Sequence, residues 1–388
     1  MNIQRHIRWF LSSILMLLLV ACGDDQPQRQ SAVLTIYVYT PDRPMVTRGE
    51  VGDISALDAE MRITSFKIWV FEHETGNLVA YQEPEAFSDV NDVAPTKFEL
   101  PLPDWFTLAK PNVDVYVFAN VTQSNCDLLK ELDGSSTRDD LNSATIRSGA
   151  FGLNSLDKLV KLDDLKKDGF EGLPMTGILL DQPVDGEDPT ILTVGSRTSM
   201  ATAHLVRTTS KVHFVFGRPE SAEESLRITG VELAAGSIPD EEYLVLFEPY
   251  KFRIKTSGYN TVSKSLLSSD LSITTSCEKP SEYVYDLSGA QDYETKIATA
   301  ISESKLTGYG PFYLRESDKQ LKGTIKYRVG TETEDRTASF EMETEGDFAR
   351  NHSWIVYAYY TSDGMLDADA VSVDDWDNED EEHRIPNW

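Results

Sequence analysis

The chain has 388 residues, with 64 acidic and 36 basic side chains and a formal net charge of −28. A charge of this sign excludes nucleic acid as a partner and disfavours adhesion to anionic lipid headgroups, because both repel an acidic protein. The length fits two domains, and a hydrophobic content of 40% can fill a core in each.

The N-terminus has the pattern of a secretory signal. Basic residues precede an apolar run from Trp9 to Val20, which is too short to span a membrane as a helix. The run ends in the lipobox Leu19-Val20-Ala21-Cys22. We therefore expect residues 1–21 to be removed between Ala21 and Cys22, and Cys22 to carry a lipid such as palmitate. An ordinary signal peptide with an incidental cysteine, or an uncleaved anchor, is the alternative.

A polar tether follows the lipobox and leads into the first strand. Residues 32–39 are β-branched and aromatic with no breaker, which predicts a strand, and residues 40–53 contain the prolines and glycines of a loop. Further strands are predicted at residues 62–71, 78–81, 97–102, 113–121, 174–178 and 190–194. Helices are predicted at residues 126–132 and 156–167. The stretch 138–168 is mostly polar, which indicates an insertion with short helices.

The second half of the chain is also rich in short apolar strands. Strands are predicted at residues 207–216, 226–234, 312–315, 323–329, 337–342 and 353–360, with one helix at 292–304. Many short strands separated by turn residues indicate an all-β sandwich in each half. We place the domain boundary near Thr202, giving domains at 49–202 and 203–388. No exact internal repeat is visible, so any likeness of the two halves is architectural.

The sequence lacks the motifs of catalysis and of cofactor binding. The six histidines have no metal-ligand spacing, and there is no P-loop, dinucleotide-binding glycine motif or nucleophile elbow. We therefore expect no enzyme activity, no catalytic residue, no cofactor and no metal site. His213 is predicted to be partly exposed, and Asn120 of Asn120-Val121-Thr122 to be structural rather than glycosylated. Cys126 and Cys277 are interpreted as buried free thiols, with a disulfide as the alternative.

Several short segments, in this order, resemble the fimbrillins, the subunits of type V pili. They are the lipobox followed by a strand and Arg48-Gly49, then residues 68–71 with the turn 74–76, 115–120, 174–177, 207–214, 312–316, 350–354 and 371–376. Together these segments extend over nearly the whole mature chain.

The resemblance implies two transthyretin-like β-sandwich domains and a lipoprotein precursor on the outer membrane. It implies that a protease cleaves after an arginine that follows the first strand, so that the lipid and that strand leave. A strand from another subunit then fills the groove that the first strand occupied. The implied partners are other pilus subunits of the same or another kind, signal peptidase II, an arginine-specific protease, and the outer membrane through the lipid. The implied location is a cell-surface fimbrium.

The resemblance also assigns roles to residues. Arg48-Gly49 is the predicted cut, giving a lipidated propeptide at 22–48; Arg43 is second, because the following Pro44 should block cleavage. In the opening strand, which is predicted to leave, the strand-exchange residues are Val33, Leu34, Ile36 and Val38.

The C-terminal segment 365–376 is the predicted donor strand, with Leu366, Val371 and Val373 as its apolar residues. Alternatively, it is the last fixed strand of the second sandwich. The acidic residues that follow are too charged to enter an apolar groove, which leaves shaft, tip and anchor roles open. A different function, a surface lipoprotein that binds glycans through Trp105 or Trp354, is the second hypothesis.

Overall fold

The fold is known from a computed structural model. It describes residues 32–39, 60, 62–84, 96–103, 112–147, 160–165, 169–180, 198–246, 258–276, 300–341, 350–351, 353–361 and 364–373. Several features predicted from the sequence lie outside these ranges: Ala21, Cys22, Arg48, Gly49, Trp105, Cys277 and residues 190–194. Within them, no helix has the length and hydrophobicity needed to cross a membrane.

Strands dominate both halves of the chain. Up to residue 207 they are β1 (Ala32–Tyr39), β2 (Phe66–Glu72), β3 (Leu78–Gln82), β4 (Thr96–Leu102), β5 (Val113–Ala119), β6 (Thr145–Ile146), β7 (Val160–Lys161), β8 (Met175–Leu179), β9 (Thr198–His204) and β10 (Val206–Arg207). The short helices are α1 (Gln123–Cys126), α2 (Arg138–Ser143) and α3 (Leu162–Leu165).

The strands after residue 207 are β11 (Thr209–Gly217), β12 (Leu226–Leu233), β13 (Glu242–Tyr243), β14 (Lys264–Ser265), β15 (Leu271–Ile273), β16 (Thr307–Arg315), β17 (Lys322–Val329), β18 (Arg336–Glu341), β19 (Ser353–Tyr360) and β20 (Leu366–Val373). The all-β prediction is confirmed in both halves.

The first sandwich packs a three-stranded sheet, β4-β1-β9, on a five-stranded sheet, β10-β8-β5-β2-β3. Alternate residues of the strands face the space between the sheets, as a period of two requires. The core between them includes Ile36, Phe66, Val70, Phe98 and Val117, all buried.

The second sandwich packs the sheet β20-β19-β11-β16-β7 on the sheet β14-β12-β17-β18, with β15 also paired to β12. Its core joins Phe214, Phe312, Ile325, Phe340 and Val356. Phe214 makes edge contacts with Phe312 and Phe340, with ring centroids 6.0 and 5.5 Å apart.

The two sandwiches have the same strand topology. β1 lies between antiparallel β4 and parallel β9, just as β11 lies between antiparallel β16 and parallel β19. The antiparallel series β2-β5-β8 corresponds to β12-β17-β18. This is the transthyretin-like architecture expected from the resemblance. β20 adds a strand beyond β19, and no described strand occupies the matching position beside β9.

A third layer covers the outer face of the β2-β5-β8 sheet. Trp69, Phe71, Tyr116 and Phe118 point outward from this sheet and are buried under residues 121–146, which include α1 and α2. The indole of Trp69 donates a hydrogen bond to the Asp133 carbonyl at 2.9 Å. The described beginning of the predicted insertion, residues 138–146, is therefore part of an ordered cover over an aromatic surface.

The helices differ from their predictions. The predicted helix at 126–132 is wrong: α1 is capped by Thr122 at its start and ends at Asp127, which takes the left-handed conformation at φ 50°. Leu128 and Leu132 have helical spacing but belong to an irregular segment and are buried in the third layer. Of the predicted helix at 156–167 only residues 160–165 are described, as β7 and α3, and the one at 292–304 is described only from residue 300.

The chain passes from the first sandwich to the second at Thr208, between β10 and β11. The boundary predicted near Thr202 falls within β9, which pairs with β1 over its whole length. Two short pairings tie the halves together, β6 with β13 and β7 with β16.

Candidate functional site

The opening strand β1 is enclosed on both edges. Its register with β4 pairs Ile36 with Phe98, and its parallel register with β9 pairs Ile36 with Ala201. A strand with neighbours on both sides has its backbone N–H and C=O groups satisfied in two directions. Removal of β1 would therefore leave two rows of unpaired backbone groups.

The inward side chains of β1 complete the first core. Leu34, Ile36 and Val38 are each 0% exposed, whereas Val33 and Tyr37 on the other face are half-buried. Full burial of one such aliphatic side chain contributes about 1.5–3 kcal/mol. Withdrawal of the strand would leave a large apolar gap in the first core, as a strand-exchange site requires.

The chain is described again at Glu60, after the segment that contains Arg48 and Gly49. The Glu60 carboxylate lies 3.6 Å from the Lys211 ammonium group of β11, and both side chains are 0% exposed. It also accepts a hydrogen bond from the Tyr313 hydroxyl, and the Glu60 carbonyl accepts one from Arg207 Nε at 3.5 Å. Burial, reinforced by Glu60, raises the pKa of Tyr313 well above its usual value. The first described residue after the predicted cut is thus fixed to the second sandwich.

A second buried charge cluster holds β13, which pairs with β6 of the first half, to the second sandwich. Arg350 Nη2 lies 2.5 Å from Glu316 Oε1, and it donates to the Tyr243 carbonyl at 2.7 Å. The Glu316 backbone N–H donates to Glu242 Oε2 at 3.1 Å, while Glu242 Oε1 has no hydrogen-bond partner among the described residues. Burial raises the pKa of Glu242 to about 8, against the opposing effect of Arg350.

The sequence resemblance included four residues of these clusters, but it did not predict that they meet in buried charge clusters. Arg207, Lys211, Glu316 and Arg350 all lie in segments that carry the fimbrillin resemblance. The structure brings them to the junction between the sandwiches, where they are buried. Their acidic partners Glu60 and Glu242 were not recognised, because they are distant in sequence and lie outside any strong apolar pattern.

The candidate donor segment forms the edge strand β20 of the second sandwich. Leu366 is buried in that core, and its backbone N–H donates to the Tyr327 hydroxyl at 3.1 Å. Val371 pairs with Ile355 and Val373 with Ser353 in the register with β19. These apolar residues of the predicted donor are therefore held in a fixed strand, eight residues long.

Other sequence-predicted residues have structural positions. Trp354 is 3% exposed and packs in the second core, so the hypothesis that it binds glycans is wrong. Asn120 is buried and accepts from the Thr64 N–H at 2.8 Å, which confirms its structural role. Cys126 is confirmed as a buried free thiol. No metal-binding group of His, Cys, Asp or Glu occurs in the part of the chain that the structure describes.

The prediction that His213 is partly exposed is wrong. Its side chain is buried, and a Cβ added at Gly308 would lie only 3.0 Å from both His213 Nε2 and Ile301 Cδ1. Residues 300–306 therefore cover the outer face of β11, which the alternating sequence pattern does not reveal. Desolvation lowers the pKa of His213 to about 4, with the neighbouring Lys211 acting in the same direction.

The fold and this site define a class of protein: two transthyretin-like β-sandwiches, the first of which is completed by the opening strand of the chain. Residues 32–210 match the model of the major fimbrial subunit protein family, FimA. Over these residues the chain is similar to the fimbrillins, which confirms the resemblance predicted from its motifs. The members of this family are structural subunits of cell-surface fimbriae, and it is not an enzyme family.

Solved structures of similar overall arrangement cover most of the chain at low identity. A candidate cell adhesion protein of Parabacteroides distasonis is 13% identical, with 88% of this chain and 97% of that one covered and a TM-score of 0.48. The tip fimbrial protein Mfa3 of Porphyromonas gingivalis is 14% identical, with 89% and 100% covered and a TM-score of 0.44. The fimbrial anchor protein Mfa2 of the same organism is 9% identical, with 87% and 95% covered and a TM-score of 0.37.

None of the curated proteins matches the chain.

Proposed function

We propose that this protein is a structural and adhesive subunit of a type V pilus, assembled by protease-triggered strand exchange. The observation that carries the proposal is the position of β1: a core strand, enclosed on both edges, that precedes a segment containing Arg48-Gly49. Cleavage there would separate β1 from the rest of the chain.

The precursor is a lipoprotein in this proposal. Signal peptidase II cuts between Ala21 and Cys22, the lipid on Cys22 holds the precursor at the outer membrane, and an arginine-specific protease cuts after Arg48. The propeptide 22–48, with its lipid and β1, then leaves.

Two features of the described residues support this sequence of events. Loss of β1 exposes apolar side chains and unpaired strand edges, which gives another strand a strong tendency to bind there. The anchorage of Glu60 to Lys211 and Tyr313 keeps the remaining chain attached to the second sandwich after the cut.

The test is exchange of the opening strand. The mature chain, residues 22–388, is treated with an arginine-specific protease and mixed with a fluorescent peptide of residues 26–48. We expect the cleaved chain to take up the labelled peptide, as seen by co-elution in gel filtration. The Arg48→Ala chain, which retains β1, should take up none. If cleavage after Arg48 occurs and the labelled strand is not incorporated, strand exchange is wrong.

A further inference from the structure

The slot occupied by β1 has a strict side-chain requirement. Leu34, Ile36 and Val38 all fill the first core at 0% exposure. They pack within the cluster that contains Phe66 and Phe98, whose rings lie 5.3 Å apart in an edge contact. Because protein cores are closely packed, an incoming strand needs three large aliphatic side chains at alternate positions.

The chain's own C-terminal segment does not provide this pattern. Starting at Leu366, the next two alternate positions are alanines, Ala368 and Ala370. An alanine in place of a buried isoleucine or valine leaves a cavity and loses apolar burial.

The other face of this segment is no better. Its alternate positions begin with Asp367 and Asp369, and a carboxylate in an apolar core is strongly disfavoured. Val371 and Val373 are flanked in this frame by Asp369 and Asp375, so they never supply three aliphatic residues in succession.

The segment is also committed to its own sandwich. β20 pairs with β19 from Leu366 to Val373, and the Leu366 side chain is buried in the second core. Arg336 Nη1 donates to the Gly364 carbonyl at 2.6 Å, just before the strand begins. Release of β20 would break these contacts and open a core that the first sandwich does not share.

From these observations we infer that the chain is an acceptor for a subunit of different sequence, whose donor strand carries three large aliphatic residues at alternate positions, and that β20 is not a donor to another copy. This inference rests on the proposed strand exchange and specifies its partner. It makes the protein the end of a polymer or a link to another subunit type, rather than the repeating unit of a homopolymer.

The experiment is a competition between peptides for the cleaved chain. The labelled peptide 26–48 is displaced by three unlabelled competitors: the same sequence, the peptide 361–378, and the peptide 361–378 with Ala368→Ile and Ala370→Val. The last two have the same charge, so they differ only in side-chain size at the two core positions.

We expect the unlabelled 26–48 peptide to compete fully, and the enlarged 361–378 peptide to compete at least ~100-fold better than the natural one, in keeping with the cost of truncating two buried aliphatic residues. Equal competition by the natural and enlarged peptides, or ladders formed by the cleaved chain alone, would overturn the inference and leave strand exchange standing. Failure of every peptide, including 26–48, to bind would overturn both.

Discussion

The Lys211 ammonium group lies 3.6 Å from the Glu60 carboxylate, and neither side chain has any exposed surface. Glu60 follows the segment with the predicted cleavage site, whereas Lys211 belongs to the central strand of the second sandwich. In the proposed assembly, the pair would therefore hold the beginning of the chain that remains after cleavage to the second sandwich. Its energy is sensitive to the loss of either partner, because an isolated buried charge is costly.

Lys211→Met should lower the free energy of unfolding by about 3–5 kcal/mol, because it removes the Lys211 ammonium group from beside the buried Glu60 carboxylate. The double variant Glu60→Gln, Lys211→Met should be more stable than this single variant. Urea unfolding measures both. Lys97→Met is the control: it breaks an exposed pair with Glu99, which is 2.5 Å away, and should leave stability almost unchanged because water screens such a pair. Equal losses for Lys211→Met and Lys97→Met would contradict the buried-pair interpretation.

Ile36→Ala should destabilise the chain by about 2–5 kcal/mol, since it creates a cavity where β1 fills the first core. Val33→Ala on the half-buried face of the same strand should cost less. Thermal unfolding of the two variants compares the faces directly. A larger loss for Val33→Ala than for Ile36→Ala would show that the core-facing assignment of β1 is wrong.

The Glu242 carboxyl makes stability fall as the pH rises. Its pKa is about 8 in the folded chain, above the ordinary value, so the folded state holds a proton that the unfolded state has lost. The stabilisation is complete below about pH 4.5 and disappears as the pH passes through 8. Arg350, Glu316 and Arg315 are the charged groups that affect it. Glu242→Gln imitates the protonated form, so the stability of this variant in urea unfolding should change less between pH 5 and 9 than that of the unaltered chain. An unchanged dependence of stability on pH would contradict this prediction.

His213 makes stability rise as the pH rises, which is opposite to the effect of Glu242 and occurs at lower pH. Its pKa is about 4 in the folded chain, below the ordinary value, so the unfolded state binds a proton first as the pH falls. Stability contributed by the neutral imidazole is present above about pH 6.5 and is lost on acidification through 4. His213→Gln should reduce the loss of stability between pH 6.5 and 4. His73→Gln, a change at a half-buried histidine, is the comparison variant.

Cys126 should report the integrity of the third layer. Burial raises the pKa of its thiol, and the side chain is 0% exposed within the aromatic cluster, so it should resist iodoacetamide in the native protein. Leu141→Ala, a truncation in α2 within the same cluster, should speed alkylation of Cys126. Mass spectrometry of the Cys126 peptide gives the rate. Rapid labelling of Cys126 in the unaltered native protein would mean that the third layer opens readily, and it would contradict this prediction.

The sequence predicts strands well where large apolar residues dominate. The bounds of β1 and β19 were predicted correctly, because their β-branched and aromatic residues have no breaker. β9 was missed, since Thr198–His204 is mostly small and polar and its place is set by pairing with β1. The junction was missed for a related reason: Glu60 and Lys211 are distant in sequence and meet only in the folded structure, and no local pattern records that contact.

The position of β1 between two partners also has a mechanical consequence. Once it is gone, β4 and β9 stand about 10 Å apart, twice the normal spacing of neighbouring strands. Closing the gap would pull Phe98 away from Phe66 and disturb the facing sheet. In the proposed strand exchange, the emptied subunit would therefore stay open until it captures a new strand, and assembly would run in a single direction.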